Sequence, residues 1–204
     1  MSDNPGRRRL DVETRRQELL RAGAELFAAH PYDEIWIDDV AKRAGVSRGL
    51  LYHYFGGKRA FLAAVVEDEA GTLLAATEPD PHLPPGQQLR AALDAYLAYL
   101  EAHPSGYRAL YLCAAGSDPQ IRAIVENNLR RQEQRLLDGV TGGAPVPEPV
   151  RLAVRGWLAS LIAICLDWLG NPILDRASLC DLLVSTFAAV ITAAGYAPPG
   201  TAGA

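Results

Sequence analysis

The sequence predicts an all-α protein of about nine helices, with a small N-terminal three-helix unit built around a helix-turn-helix and a larger helical part behind it. Three observations predict it. Apolar residues recur at helical spacing along most of the chain. No stretch sustains the apolar–polar alternation of a half-buried strand. The breaks between periodic stretches are clusters rich in Pro and Gly, which stop helices.

The first helix is expected over 11–30, with Asp11 as N-cap, Leu19, Ala22, Leu26 and Phe27 at helical spacing, and Pro31 as the stop. Two short helices follow, over 38–44 and 48–55, around the turn "GVS". Gly56 and Gly57 break the chain again, and a longer helix is expected over 58–77. Four prolines between Pro79 and Gly86 cannot continue it. Further helices are expected over 87–103, 105–115, 118–139, 148–169 and 177–194, and the tail "APPGTAGA" is expected to be disordered. This reading gives domains at 1–57 and 58–204, with the 58–77 helix connecting the two.

At 204 residues, with 49% apolar and 22% charged residues, the chain has the composition of a folded soluble protein. Its formal charge of -4 excludes a protein that coats nucleic acid generally. The charge is unevenly placed. Residues 1–60 hold 11 Lys and Arg against 9 Asp and Glu, whereas the remainder holds 9 against 15. An anionic partner is therefore expected at the N-terminal third. Cys113, Cys165 and Cys180 stand far apart in apolar surroundings and read as buried free thiols. No zinc-type spacing is present. The N-terminus lacks an apolar signal-peptide core, and the longest apolar run, "WLASLIAICLDWLG", contains Asp167 and is too short to span a bilayer. The expected location is the cytoplasm, with no membrane partner.

The stretch "AKRAGVSRGLLYHYFGGKRAFL" concentrates phosphate-seeking groups. Ala41 and Ala44 let the second short helix approach closely, and Gly45 supplies the backbone freedom of a tight turn. Ser47 can cap the second helix. Leu51, Tyr54 and Phe55 fall on its inner face. Arg48 and Tyr52, and likewise Gly49 and His53, are four apart on other faces. Such an outward set suits double-stranded DNA. Arg48, Gly49 and Leu50 form the turn that can enter a major groove. An arginine can bond bidentately to guanine, and a leucine can touch a thymine methyl. Tyr52 and His53 can donate to phosphates, and Lys58 opens the next helix as a phosphate site.

The run "FAAHPYDEIWIDDVAKRAGVSRGLLYHYFGGKRAFLAAV" resembles the N-terminal domain of TetR-family transcriptional regulators. The family's "AxxAGVSxGxLYxYFxxKxxL" pattern is matched at Ala41, Ala44, Gly45, Val46, Ser47, Gly49, Leu51, Tyr52, Tyr54, Phe55, Lys58 and Leu62. The resemblance covers roughly a third of the chain. It implies a three-helix DNA-binding domain, a helical ligand-binding and dimerisation domain, and a homodimer that usually acts as a repressor released by a small effector. Three positions depart from the pattern. Trp36 stands where the family usually has Ser or Thr opening the first short helix; an indole N–H can donate to a phosphate but cannot accept as a cap. His30-Pro31 replaces the usual glycine after the first helix. Leu50 replaces a small hydroxyl, which shifts the expected contact toward an apolar one.

In the remaining two thirds no catalytic set, metal cluster or phosphate-binding glycine loop is recognisable, and the resemblance counts against an enzyme or a cofactor. Tyr96, Tyr107, Tyr111 and Trp157 are the candidate effector-binding residues, because tyrosine and tryptophan join large apolar area to one polar handle. For any single one of them, aromatics at helical spacing read first as core. Asp167 reads as solvent-facing or interfacial, with a polar pocket group as the alternative. The last two helices are apolar over more than one face. Gly156, Ser160 and Ala163 on the first, and Leu183, Phe187 and Val190 on the second, are the candidate dimer contacts. The resemblance implies that these helices pair into a four-helix bundle. The function expected is a DNA-binding regulator, a repressor released from a palindromic operator by an apolar or aromatic effector. The alternative is an architectural DNA-binding protein without an effector.

Overall fold

A computed structural model describes residues 5–30, 34–112 and 118–196 of the chain, with side chains from Val12 onward, Pro85 aside. Within them lie nine α-helices and no strand: α1 (Pro5–Ala29), α2 (Ile37–Arg43), α3 (Arg48–Phe55), α4 (Lys58–Ala76), α5 (Pro85–Ala102), α6 (Pro104–Leu112), α7 (Pro119–Thr141), α8 (Glu148–Trp168) and α9 (Arg176–Ala193). Cys113, Pro31, the expected end of the sixth helix at Ala115 and the tail after Tyr196 lie outside the described residues.

The order matches the sequence reading, and the two starts that shift most, at Pro5 and Pro85, fall on proline. Helices α5, α6 and α7 begin on Pro85, Pro104 and Pro119 rather than one or two residues away. Proline at the first helical position loses no hydrogen bond and comes with its φ already set, so it starts a helix as readily as it stops one. The same holds at Pro5, where α1 begins six residues before Asp11, which is therefore interior and no cap.

Contacts divide the chain into two compact units, one of Met1–Gly71 with Ser105–Glu126, the other of Thr72–Pro104 with Asn127–Ala204. The first has a core of Leu19, Phe27, Leu51, Phe61, Leu62 and Val65, all at most 3% exposed. Removing such side chains from water contributes about 1.5–3 kcal/mol each. Phe61 is the hub: its ring lies 6.0 Å from Phe27 and 4.8 Å, edge-on, from Phe55. Gly23 lets it in, since a Cβ there would stand 2.5 Å from Phe61 Cζ. Arg43 reaches Glu25 at 2.5 Å, linking α2 to α1, and Arg59 of α4 reaches Asp118 at 2.5 Å beside the start of α7. Both pairs are largely exposed on the arginine side and set geometry more than stability.

In the second unit α9 packs on α5 and α8. Exposed ion pairs border the first contact, Arg90 with Asp181, and Arg176 with Asp94 and Glu101 at 3.0 Å each. Trp157 of α8 lies edge-on to Phe187 of α9 with ring centroids 4.8 Å apart, and its indole N–H donates to Thr186 Oγ1 at 3.2 Å. Helix α7 carries polar groups that the sequence reading did not anticipate. Asn128, Gln132 and Glu133 are all at least nine-tenths buried. Gln132 donates to Asn128, and Glu133 accepts from Arg155 at 3.1 and 3.3 Å. Cys165 and Cys180 are buried and in no disulfide, and burial pushes the Cys180 thiol up.

Candidate functional site

Helices α2 and α3 make a tight corner, and the backbone shows why the sequence folds there. The Gly45 N–H reaches back to Lys42 O and the Val46 N–H to Ala41 O. Gly45 sits at φ +65°, a conformation in which an L side chain crowds its own carbonyl. Ser47 then caps α3, its Oγ accepting from the Leu50 N–H at 3.2 Å. At the far end Gly56, at φ +76°, turns the chain out, and its N–H closes on Tyr52 O at 2.8 Å. Of α3, only Leu51 is fully buried.

Seven of the eight residues assigned to DNA stand on α3 or within a few residues of it. Ser47, Arg48, Gly49, Tyr52 and His53 are exposed, and Leu50 and Lys58 are half-buried. Trp36, the eighth, is 71% exposed at the N-cap of α2. Its indole caps nothing. The first turn of α2 is closed from the other side, by Asp39 Oδ2 accepting from the Trp36 backbone N–H at 3.0 Å. Asp39 thus supplies only the reciprocal half of a capping box, its own backbone N–H meets the Trp36 carbonyl at 3.0 Å, and the indole is left exposed.

Arg48 is held in place on this surface. Its Nη1 donates to Asp38 Oδ2 at 3.2 Å and its Nη2 to the Tyr52 hydroxyl at 3.4 Å. Its guanidinium carbon stands 5.3 Å from the Tyr52 ring centroid. The Tyr52 hydroxyl, then Asp38, raise its basicity further. Tyr52 accepts from Arg48 and still has its own proton to donate. Asp38 was absent from the sequence reading. Its signal was two consecutive acids in one first turn, where a cap needs only one.

The effector candidates fall into both units. Tyr107 and Tyr111 meet edge-on on α6 with centroids 4.8 Å apart; Tyr107 is fully buried and Tyr111 half-buried. Tyr96 and Trp157 are buried in the second unit. Trp157 also lines an open apolar groove of about 620 Å³ along α8 and α9, with Gly156, Ser160, Leu183 and Val190 from the dimer set. Ala163 is exposed on the same helix as Gly156 and Ser160, and Phe187 is buried against Trp157. Asp167 is exposed. Helices α8 and α9 are each long and apolar enough to cross a bilayer by length and hydropathy, yet only 33% and 28% of their most apolar windows are buried. Leu152, at 70% exposure, and Leu182, at 44%, lie on these uncovered faces. Among the described residues no group of His, Cys, Asp or Glu is placed to hold a metal ion.

Comparison with known proteins agrees with this geometry. Residues 19–65 match the family model described as bacterial regulatory proteins, tetR family, and residues 85–190 match the tetracyclin repressor-like C-terminal domain. The chain is 32% identical over 170 residues to the HTH-type transcriptional activator FasR of Mycolicibacterium smegmatis, covering 80% of this chain and 76% of that one. Its fold superposes with a TM-score of 0.77 on a tetR-family transcriptional regulator from Streptomyces coelicolor, at 29% identity, covering 90% of this chain and 82% of that one. FadR from Bacillus subtilis, solved in complex with stearoyl-CoA, shares the fold at a TM-score of 0.71 and 20% identity, covering 84% of this chain and 96% of that one.

Proposed function

The chain belongs to the tetR family of bacterial regulatory proteins and is a DNA-binding regulator of transcription rather than an enzyme, and from that premise we propose that it works as a cytoplasmic homodimer, a repressor released from a two-fold symmetric operator by a small apolar or aromatic effector. The observation that carries the DNA-binding part is the capped, exposed N-terminal turn of α3, with Arg48 presented on it. In this reading Arg48 and Leu50 meet base edges, while Trp36, Tyr52, His53 and Lys58 meet phosphates and fix the register. Ser47 and Gly49 allow the close approach.

The uncovered faces of α8 and α9 support dimerisation. Two helices this apolar are stable in water only if something covers them. A second copy, crossing closely over Gly156, Ser160 and Ala163, buries both faces at once. Two-fold symmetry then predicts two α3 helices that read major-groove faces about 34–36 Å, or a whole multiple of a turn, apart. The effector is the least constrained part. Tyr96, Tyr107 and Tyr111 supply apolar area and hydroxyls, and FadR, which shares the fold, was solved with a long-chain acyl-CoA. Helix α4 runs unbroken from Lys58, beside the DNA-facing turn, to Ala76 and serves as the lever between the 1–57 and 58–204 domains. An effector moves it only as far as it binds one state better than the other.

The sign of regulation has a second reading, because the 32% identical relative is named an activator. Deleting the protein decides: transcription from a promoter carrying its site rises if it represses and falls if it activates. Calorimetry of an identified effector with and without operator tests the lever. By linkage, operator must weaken effector binding by the same factor, about 5–150-fold, that effector weakens operator binding.

A further inference from the structure

Asp38 and Asp39 share the first turn of α2, but only one of them closes it. Asp39 closes the first turn of α2 through the Trp36 N–H. Asp38 has a side chain 58% exposed, with Oδ2 3.2 Å from Arg48 Nη1. On a surface that meets phosphates a carboxylate is a liability, since it repels the backbone across the whole Debye length.

What it gives in return is orientation. An exposed arginine samples many rotamers and loses that freedom on docking. Here Asp38 accepts from one terminal nitrogen, the Tyr52 hydroxyl accepts from the other, and the Tyr52 ring supports the guanidinium. Two of the five N–H donors are engaged and the rest remain for a base edge. The same carboxylate penalises the wrong contact. If Arg48 stays in this pose on a guanine, Asp38 keeps its counter-ion. If Arg48 swings to a phosphate, Asp38 faces the DNA backbone without one.

We infer that Asp38 is a specificity-determining positioning residue, which fixes Arg48 for base readout and disfavours its use on phosphate, lowering general DNA affinity while raising discrimination. This rests on α3 being the recognition helix. The raised basicity of Arg48, caused first by the Tyr52 hydroxyl and then by Asp38, agrees with a guanidinium held charged in this cradle.

The test uses the full-length protein and a duplex that it selects from a random-sequence library, with a scrambled duplex of equal composition as control. Wild type, Asp38→Asn, Arg48→Ala and the double variant are titrated with both at several salt concentrations. Asp38→Asn is expected to bind the scrambled duplex several-fold more tightly, the gain shrinking as salt rises. Its ratio of selected to scrambled affinity is expected to fall about fivefold or more, at the base pair that Arg48→Ala also relaxes. In the Arg48→Ala background, Asp38→Asn should change both duplexes alike. Asp38→Ser, which also removes the charge, serves as second variant should the amide disturb the turn, and must give the same ratio. An equal gain on both duplexes in the single variants would overturn the inference, leaving Asp38 a bare charge. A loss of discrimination that persists without Arg48 would overturn it too. If Arg48→Ala leaves discrimination whole, the assignment of Arg48 to a base fails and this inference with it. If Arg48→Ala relaxes one base pair and Asp38→Asn none, only this inference fails.

Discussion

The α2–α3 corner and the α8–α9 face are both exposed, but they are exposed in opposite ways. At the corner several accessible polar side chains are held by a neighbour: Ser47 on the Leu50 N–H, Asp39 on the Trp36 N–H, Asp38 and Tyr52 on Arg48. Along the open groove of α8 and α9 they are mostly small or apolar, with the Ser160 hydroxyl turned back onto the Gly156 carbonyl at 3.1 Å. A Cβ placed on Gly156 meets no atom within 4 Å, whereas one on Gly23, inside the first unit, collides with Phe61 and Val65. In the proposed dimer the corner needs nothing from the second copy, while the α8–α9 face is covered by it. Specific chemistry needs preorganised polar groups, and association needs area with close fit.

The largest expected effect breaks the α8–α9 face. Ser160→Arg or Ala163→Arg places charge and bulk in the proposed seam without touching the core. Light scattering should show monomers, far-UV circular dichroism should be unchanged, and affinity for a two-half-site duplex should fall by about 10²-fold or more as bivalent attachment is lost. A variant that stays dimeric would remove α8 from the interface. Next is the glycine pair. Gly23→Ala must displace Phe61 and should cost about 1–3 kcal/mol in a urea melt, beyond what better helix propensity returns. Gly156→Ala should instead leave the fold intact and weaken only dimerisation, read from the concentration dependence of the melting temperature.

Within the corner the expected effects are smaller and differ in kind. Arg48→Ala should relax preference at one base pair, by about fivefold or more. Lys58→Ala should weaken binding to every sequence and lower the salt slope by about one. Equal losses on selected and scrambled DNA in both variants would contradict that division. The smallest is Trp157→Phe, which removes one hydrogen bond to Thr186 and keeps the packing on Phe187. A loss of about 0.5–1.5 kcal/mol is expected.

How much of this the residues disclosed in advance follows the same contrast. The corner was legible because its signals are local. Gly45, Ser47 and Gly56 each answer a backbone requirement within a few residues, and the pattern around them is specific. The helix order was legible from periodicity, and the starts at Pro85 and Pro104 were placed late by reading proline as a stop alone. The Asp38–Arg48 pair was not legible, because it depends on how two helices cross rather than on spacing along either. Nor were Asn128, Gln132 and Glu133, since polar residues on a helix read as a solvated face until packing buries them. Trp157 was assigned to an effector from its residue type alone, a weak signal, because core, pocket and interface all favour the same side chain.

The measurement that tests the central claim most directly is selection of duplexes from a random library by the full-length protein, followed by sequencing. A dimer that reads DNA through two copies of α3 predicts enrichment of an inverted repeat. Its half-site centres should lie one helical turn, about 10–10.5 base pairs, or a whole multiple of it apart. A single unrepeated half-site, or no enrichment over the starting library, would contradict the account.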